Sequence, residues 1–262
     1  MAISDLTVII TGGAGGLGKT IAATFLQAGS KVAICDVNQQ RLVQTASEWE
    51  SLYAGRFITS GVDIMDEESV QEFMDAAVAK FGRLDILVNN AGIMDTFDTV
   101  GSTSKASWDR VIGVNLTGSF LTTKAAVNAM EKQSPQGGTV INIGSVASCK
   151  GVNAGLAYTV SKHGVLGLTR NTAGFYGDKG IFCIALMLGG MDDTNLSDSF
   201  ASGRFNQDGM MRVGSVNPGY VPGKTNIPLT DVAKYCIFLA DPAIAAASNG
   251  AGITVNKNWP PA

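Results

Sequence analysis

Short apolar runs alternate with amphipathic stretches from the first residues of the chain. Residues 7–11 (TVIIT) form an apolar run that ends on glycines. Residues 16–28 then repeat apolar positions at helical spacing, with Leu17, Ile21, Phe25 and Leu26 on one face and Gly29 as a stop. Residues 31–35 predict a second strand, and Asn38 is placed to cap a helix running to about Trp49. A weaker strand follows at 57–61, then a helix opened by Asp66 and closed by Gly82. Residues 84–89 (LDILVN) form a continuous apolar run of the kind buried on both faces of a parallel sheet. The pattern predicts one long helix over 107–131, a fifth strand at 139–143, a helix at 156–176 and a sixth strand at 181–188. A helix at about 230–240 and a strand near 252–256 complete it.

Strand–helix alternation with short connections predicts an α/β fold. About seven strands form a doubly wound parallel sheet of Rossmann type, with helices on both faces. Residues 1–262 read as one domain. The alternation breaks at about 189–226, a stretch rich in Gly, Ser, Asn, Asp and Met, which predicts a substrate loop or lid. Met191, Phe200, Phe205, Met210, Met211 and Val213 in this stretch suit either the roof of an apolar pocket or ordinary packing.

Composition narrows the classes. At 262 residues and 45% hydrophobic, the chain is long and apolar enough for a sizeable core, which excludes a disordered protein. Nineteen basic against 22 acidic residues, without a Lys/Arg cluster, give no footprint for nucleic acid. No apolar run reaches the ~18–20 residues of a membrane span. The N-terminus has no basic region followed by a separate apolar one, so a soluble, cytoplasmic protein is expected. A single histidine, His163, would have to carry any His-based metal site or Ser-His-Asp triad alone, and no metal is expected. Cys35, Cys149, Cys183 and Cys236 form no C-x-x-C and are expected as packed, reduced thiols, with Cys149 kept open because it lies near a motif described below.

Between the first strand and first helix stands Thr11-Gly12-Gly13-Ala14-Gly15-Gly16-Leu17-Gly18. Glycines there let the backbone approach a pyrophosphate, and the helix N-terminus supplies free N–H groups to it. Two registers are open: Gly13, Gly15 and Gly18, or Gly12, Gly16 and Gly18. Asp36 ends the second strand, where a carboxylate accepts from the adenosine ribose hydroxyls and repels a 2′-phosphate. Cys35, Val37 and Asn38 beside it are not basic, so NAD is expected ahead of NADP; Arg41 is the one nearby cation that argues otherwise.

Tyr158 and Lys162 are spaced i, i+4 on a predicted helix and share a face. A neighbouring ammonium stabilises a phenolate, so Lys162 is expected to lower the pKa of Tyr158 and make it a usable acid/base. Gly144-Ser145 follows the fifth strand, at the carboxyl end where open α/β sheets bind ligands, and its hydroxyl suits a substrate oxygen.

In these motifs the chain resembles the short-chain dehydrogenase/reductase family over essentially its whole length. The likeness rests on Thr11-Gly12-x-x-x-Gly16-x-Gly18, Asp63, Asn89-Asn90-Ala91-Gly92, Asn115, Ser145 and Tyr158-x-x-x-Lys162. The resemblance selects the Gly12, Gly16, Gly18 register, with Leu17 between. It implies that Asp63 and Ile64 meet the adenine and that Asn90, Ala91 and Gly92 line the ribose side. Ser145 would orient the substrate oxygen, Tyr158 exchange its proton, Lys162 bind the nicotinamide ribose, and Asn115 hold a relay water or bend its helix. Gly189, Met191 and Thr194 would stand on the nicotinamide side. His163 is expected to be packing or surface.

Two segments depart from the family pattern. Leu188 stands where Pro is usual, Ile184 where Asn is usual and Asp193 where Thr is usual, with Thr194 one position later. The family's terminal Val-Asp-Gly-Gly reads Val255-Asn256-Lys257-Asn258. The resemblance implies an NAD-dependent oxidoreductase interconverting a secondary alcohol, apolar in character, and its ketone. The alternative is a protein of this fold that binds cofactor or ligand without redox turnover. A homo-oligomer, tetramer or dimer, is expected, pairing the helices at 107–131 and 156–176.

Overall fold

Seven strands form one parallel sheet: β1 (Thr7–Thr11), β2 (Lys31–Asp36), β3 (Phe57–Gly61), β4 (Ile86–Asn89), β5 (Gly138–Ser145), β6 (Ile181–Leu188) and β7 (Gly252–Val255). Their order is β3-β2-β1-β4-β5-β6-β7, with every pairing parallel. The computed structural model describes residues 3–200, 205–221 and 223–260. The side chains of residues 197, 199 and 200 lie outside that description, and with them the expectation placed on Phe200.

The central strands are buried throughout, and their alternation divides the core in two. Val8 and Ile10 of β1 face one apolar cluster, built with α1 (Gly16–Gln27), α2 (Gln39–Tyr53), α8 (Leu229–Phe238) and α9 (Pro242–Ala247). Ile9 faces the other, built with α3 (Glu67–Phe81), α5 (Ser119–Lys132) and α6 (Leu156–Tyr176). Local signals set several boundaries. The Asp66 side chain accepts from the Glu68 N–H at the start of α3, and Gly82, with φ of 93°, ends it. Asn38 accepts from the Arg41 N–H at the start of α2.

The structure differs from expectation in four places. The long helix expected over 107–131 is α4 (Lys105–Ile112), a π turn at Gly113–Gly118, and α5. The interruption coincides with Asn115, whose side chain bonds outside its own helix, as described below. The stretch at 189–226 is more ordered than a loop, holding a 3-10 segment at Asn195–Phe200 and α7 (Gln207–Val216). The helix α9 was not foreseen, because PAIAAA carries no amphipathic period. Cys149 is exposed in the turn after β5, whereas Cys35, Cys183 and Cys236 are buried and burial pushes each thiol up to about 12. Among the described residues, no helix is long and apolar enough to cross a membrane.

Candidate active site

Strand order reverses between β1 and β4, and the segments leaving their carboxyl ends diverge around a cleft of about 350 Å³. Gly12 and Gly16 carry φ of 63° and 47°, a region that side chains disfavour, while Gly15 is extended at −158°. A Cβ on Gly18 would collide with the Gly12 carbonyl oxygen and lie 2.5 Å from the Asn90 amide nitrogen. Positive φ singles out Gly12 and Gly16, while Gly13 and Gly15 are also closely packed, against Ile34 and Asn195, and Gly15 lines the cleft. Gly12 and Leu17 line the cleft; Gly16 and Gly18 shape the turn behind it. Asn90 ties this turn to β4, donating to the carbonyls of Thr11 at 3.0 Å and Gly12 at 3.1 Å. Thr11 returns the tie, its hydroxyl accepting from the Asn90 and Ala91 N–H groups.

At one end of the cleft stands Asp36. One carboxylate oxygen accepts from the Ala14 N–H at 3.2 Å and the other from the Asn38 N–H at 3.0 Å, which fixes the group facing the cleft. Asp63 and Ile64 line the same end. Arg41 also reaches it, but its guanidinium pairs at 2.7 Å with Asp198 of the 189–226 stretch. That stretch passes over the glycine turn: the Asn195 side chain lies against Gly15, and Thr194 and Asn195 against Gly16. Asn195, Leu196, Asp198 and Arg110 were not picked out in the sequence; each is a lone polar or apolar residue with no local motif.

At the other end, Tyr158, Lys162, Ala91, Gly92, Met191 and Thr194 line the cleft together with Ile143 and Gly144. Tyr158 and Lys162 are buried on α6, with the Lys162 Nζ 5.6 Å from the Tyr158 ring centre and donating to the Ile143 carbonyl at 2.8 Å. Burial decides their titration. It pushes Tyr158 up to about 12, with the Ser145 hydroxyl favouring the phenolate and the charge of Asp95 opposing it. It pushes Lys162 down to about 8. The expected lowering of Tyr158 by Lys162 is thus absent, since desolvation favours the neutral form of both groups. Ser145 stands at the end of β5, its oxygen accepting from the Ala147 N–H.

Asn115 reaches out of the π turn, accepting from the Ile93 N–H at 2.8 Å and donating to the Ile93 carbonyl and the Ser161 hydroxyl. Its amide is committed to holding the segment after β4 against α6. Gly189 is turned from the cleft and packs on Asn256 and Trp259. His163 is exposed, its ring nitrogen 2.9 Å from the Thr159 carbonyl. Phe205 packs its ring at a tilt against Phe97, 5.2 Å between centres, and Val213 is half-buried, whereas Met210 and Met211 are exposed.

The arrangement fits a dinucleotide. A glycine-rich backbone cradle precedes a helix N-terminus, a carboxylate stands beyond it, and a buried phenol and ammonium close the far end. Comparison with known proteins agrees: residues 6–204 match the family model for short chain dehydrogenase. The chain belongs to the short-chain dehydrogenase family. It is 44% identical over 261 residues to the short chain dehydrogenase/reductase dpfgG of Gibberella zeae, covering 98% of this chain and 95% of the relative. Among solved structures, Levodione Reductase is similar with a TM-score of 0.84 at 29% identity, over 97% of each chain. ElxO with NADP bound is similar with a TM-score of 0.81 at 30% identity, over 97% of this chain and 98% of that one. As a short-chain dehydrogenase the protein is an oxidoreductase that works with a nicotinamide cofactor on a small molecule.

Proposed function

We propose that the protein interconverts a secondary alcohol and its ketone, with Tyr158 exchanging the proton. The observation that carries this reading is the placement of Tyr158, beside Ser145 and one helical turn from Lys162, at the end of a cleft whose other end fits a dinucleotide. The bound nicotinamide supplies or takes up the hydride. In reduction, the Tyr158 phenol gives its proton to the carbonyl oxygen as that oxygen becomes a hydroxyl, and solvent restores the proton. The Ser145 hydroxyl steadies the negative charge that develops on the same oxygen. In oxidation, the Tyr158 phenol first releases its proton to solvent, and the resulting phenolate takes the alcohol proton. With its pKa at about 12, Tyr158 is a phenol at neutral pH and is poised to donate. Gly12, Leu17, Asp36, Asp63, Ile64, Asn90, Ala91, Gly92 and Lys162 would hold the cofactor, with Met191 and Thr194 on the 189–226 lid. Asn115 fixes the segment that carries Gly92 and Ile93.

A preference for NAD rests on Asp36 and on Asp198, which engages Arg41, the cation that, among the described residues, lines the cleft beside Asp36. Likeness gives no support to ranking NADP lower, because the structure of ElxO, one of the neighbours, carries NADP. Absorbance of the reduced nicotinamide, followed with NAD and separately with NADP over a panel of secondary alcohols, tests both parts. Turnover with none of them overturns the alcohol reading and leaves the binding-only alternative. Faster turnover at lower concentration with NADP overturns the preference.

A second copy of the chain is the proposed partner. Phe120 on α5 and Val160 and Phe175 on α6 are exposed apolar residues on the two helices expected to pair. Light scattering at micromolar concentration should give a dimer or tetramer, and a monomer would refute the pairing.

A further inference from the structure

The helix that carries Tyr158 has no N-terminal cap of its own. Gly155 stands at the capping position without a side chain, so the first N–H groups of α6 need partners from elsewhere. The loop after β4 provides them. Asp95 accepts from the Gly155 N–H at 3.0 Å through one carboxylate oxygen and from the Tyr158 N–H at 2.9 Å through the other. The Asp98 carbonyl takes the Leu156 N–H at 2.8 Å. A Cβ on Gly155 would lie 2.6 Å from both Asp95 oxygens, so the fit requires glycine there. Asp95 is 3% exposed, and no step of the proposed reaction uses it.

A buried carboxylate needs compensation. Asp95 receives three backbone N–H groups, the third from Phe97 at 3.1 Å, and lies at the positive end of α6. Burial raises its pKa, those three hydrogen bonds lower it, and Asp98 raises it. Among the described residues, the charged or titratable groups facing the pair are Asp98 from the same loop and Lys162 from α6, with the Ser145 hydroxyl at the end of β5. Asp98 is itself held, accepting from the Thr96 hydroxyl at 2.7 Å and from Asn206 at the cap of α7 at 3.3 Å.

We propose that Asp95 is a positioning residue for proton transfer, its carboxylate anchoring the Tyr158 backbone and setting the field in which the Tyr158 hydroxyl holds its proton. This rests on the reading of Tyr158 as the proton-exchanging group. The structure supports the field as well as the anchor, because the charge of Asp95 is among the causes that hold the phenol protonated. The carboxylate thus favours the protonated tyrosine while fixing its turn.

The test separates charge from anchoring. Asp95→Asn and Asp95→Ser remove the charge and keep an oxygen acceptor; Gly155→Ala keeps the charge and displaces it. The readout is the ionisation of Tyr158 in cofactor-free protein labelled with 13C at the tyrosine Cζ, assigned by its loss in Tyr158→Phe. Asp95→Asn should give roughly three- to tenfold more phenolate at a given pH on the lower limb of the titration. Gly155→Ala should slow turnover of whichever panel alcohol reacts, without that gain. A Tyr158 titration unchanged or moved upward in the folded charge-removing variants overturns the proposal. So does failure of both to fold, which would make Asp95 a determinant of the fold alone. Because the titration needs no substrate, it stands apart from the alcohol assay: absence of turnover defeats the functional reading and leaves the charge effect measurable.

Discussion

Burying the ammonium of Lys162 lowers the stability of the fold, and that cost can be measured. Burial pushes the group down to about 8 from an ordinary 10.5; at ~1.4 kcal/mol per pH unit the gap is worth about 3 kcal/mol. Below pH 8 the lysine is charged in both states, and the folded protein bears the whole penalty. Between pH 8 and 10.5 the unfolded chain binds more protons than the folded one, so stability rises with pH through that window. Lys162→Met keeps the length of the side chain and removes the charge. It loses the hydrogen bond to the Ile143 carbonyl, worth ~1 kcal/mol. The variant should therefore be more stable than the parent at pH 7 by about 2 kcal/mol. That advantage should shrink as the parent gains stability above pH 8.

Urea unfolding of both cofactor-free proteins, at one protein concentration and at pH values from 7 to about 9.5, reads the difference directly. The range stops short of 10 because Tyr158 and, from about pH 9, the buried thiols of Cys35, Cys183 and Cys236 act with the opposite sign in both proteins and drop out only in the difference. The folded pKa of Tyr158 is raised to about 12, so its contribution is present below pH 10 and is lost from there towards 12. A Lys162→Met protein less stable than the parent at pH 7, or an advantage that does not change with pH, would refute the reasoning. The same variant should lose activity and bind cofactor more weakly, the trade-off expected where a site keeps a desolvated charge.

Three further outcomes follow from the geometry. Tyr158→Phe should lower turnover by about 10²–10⁴-fold with cofactor affinity nearly unchanged, as read by steady-state kinetics and cofactor titration; retention within about tenfold would assign the proton to another group. Asp198→Asn frees Arg41 from its 2.7 Å ion pair and should improve NADP binding relative to NAD, while Arg41→Ala should not; equal ratios in both variants would remove Asp198 from the selection. Gly18→Ala places a methyl against the Gly12 carbonyl oxygen and should destabilise the glycine turn by roughly 1–3 kcal/mol, seen as a lower unfolding midpoint and weaker cofactor binding.

What the sequence discloses here is what local spacing controls. Asp66 and Gly82 bound α3 through contacts within a few residues, so their positions alone place the helix. Tyr158 and Lys162 come together because a single helix sets their separation. The π turn is different in kind. Helical spacing continues through residues 107–131, and the register changes where Asn115 finds partners on Ile93 and Ser161, 22 and 46 residues away. Asp95 and Asp198 escaped notice for the same reason. Neither belongs to a local motif, and the meaning of each lies in Gly155, Tyr158 or Arg41, which only the folded chain brings near. Cys149, the thiol kept open, stands between Ser148 and Lys150, and the turn after β5 leaves it exposed.

The two segments that depart from the family pattern meet in space, which changes what their departure means. Gly189 and Gly190 follow β6, and Asn256 to Trp259 follow β7, its neighbour in the sheet. The Gly189 N–H donates to the Val255 carbonyl, and a Cβ on Gly189 would lie 2.8 Å from that of Asn256. One on Gly190 would lie 3.3 Å from the Trp259 ring. Trp259 in turn packs at a tilt against Tyr220, 4.9 Å between ring centres, and donates from its indole to the Pro218 carbonyl at 3.2 Å. Asn226 joins the same corner, bonded to Asp192 and Tyr220. The altered stretch after β6 and the altered terminus therefore form one packed corner that holds both ends of the 189–226 segment. Its changes bear on how that segment is seated, while the cleft residues from Gly12 to Lys162 keep their places on the strands and helices of the sheet.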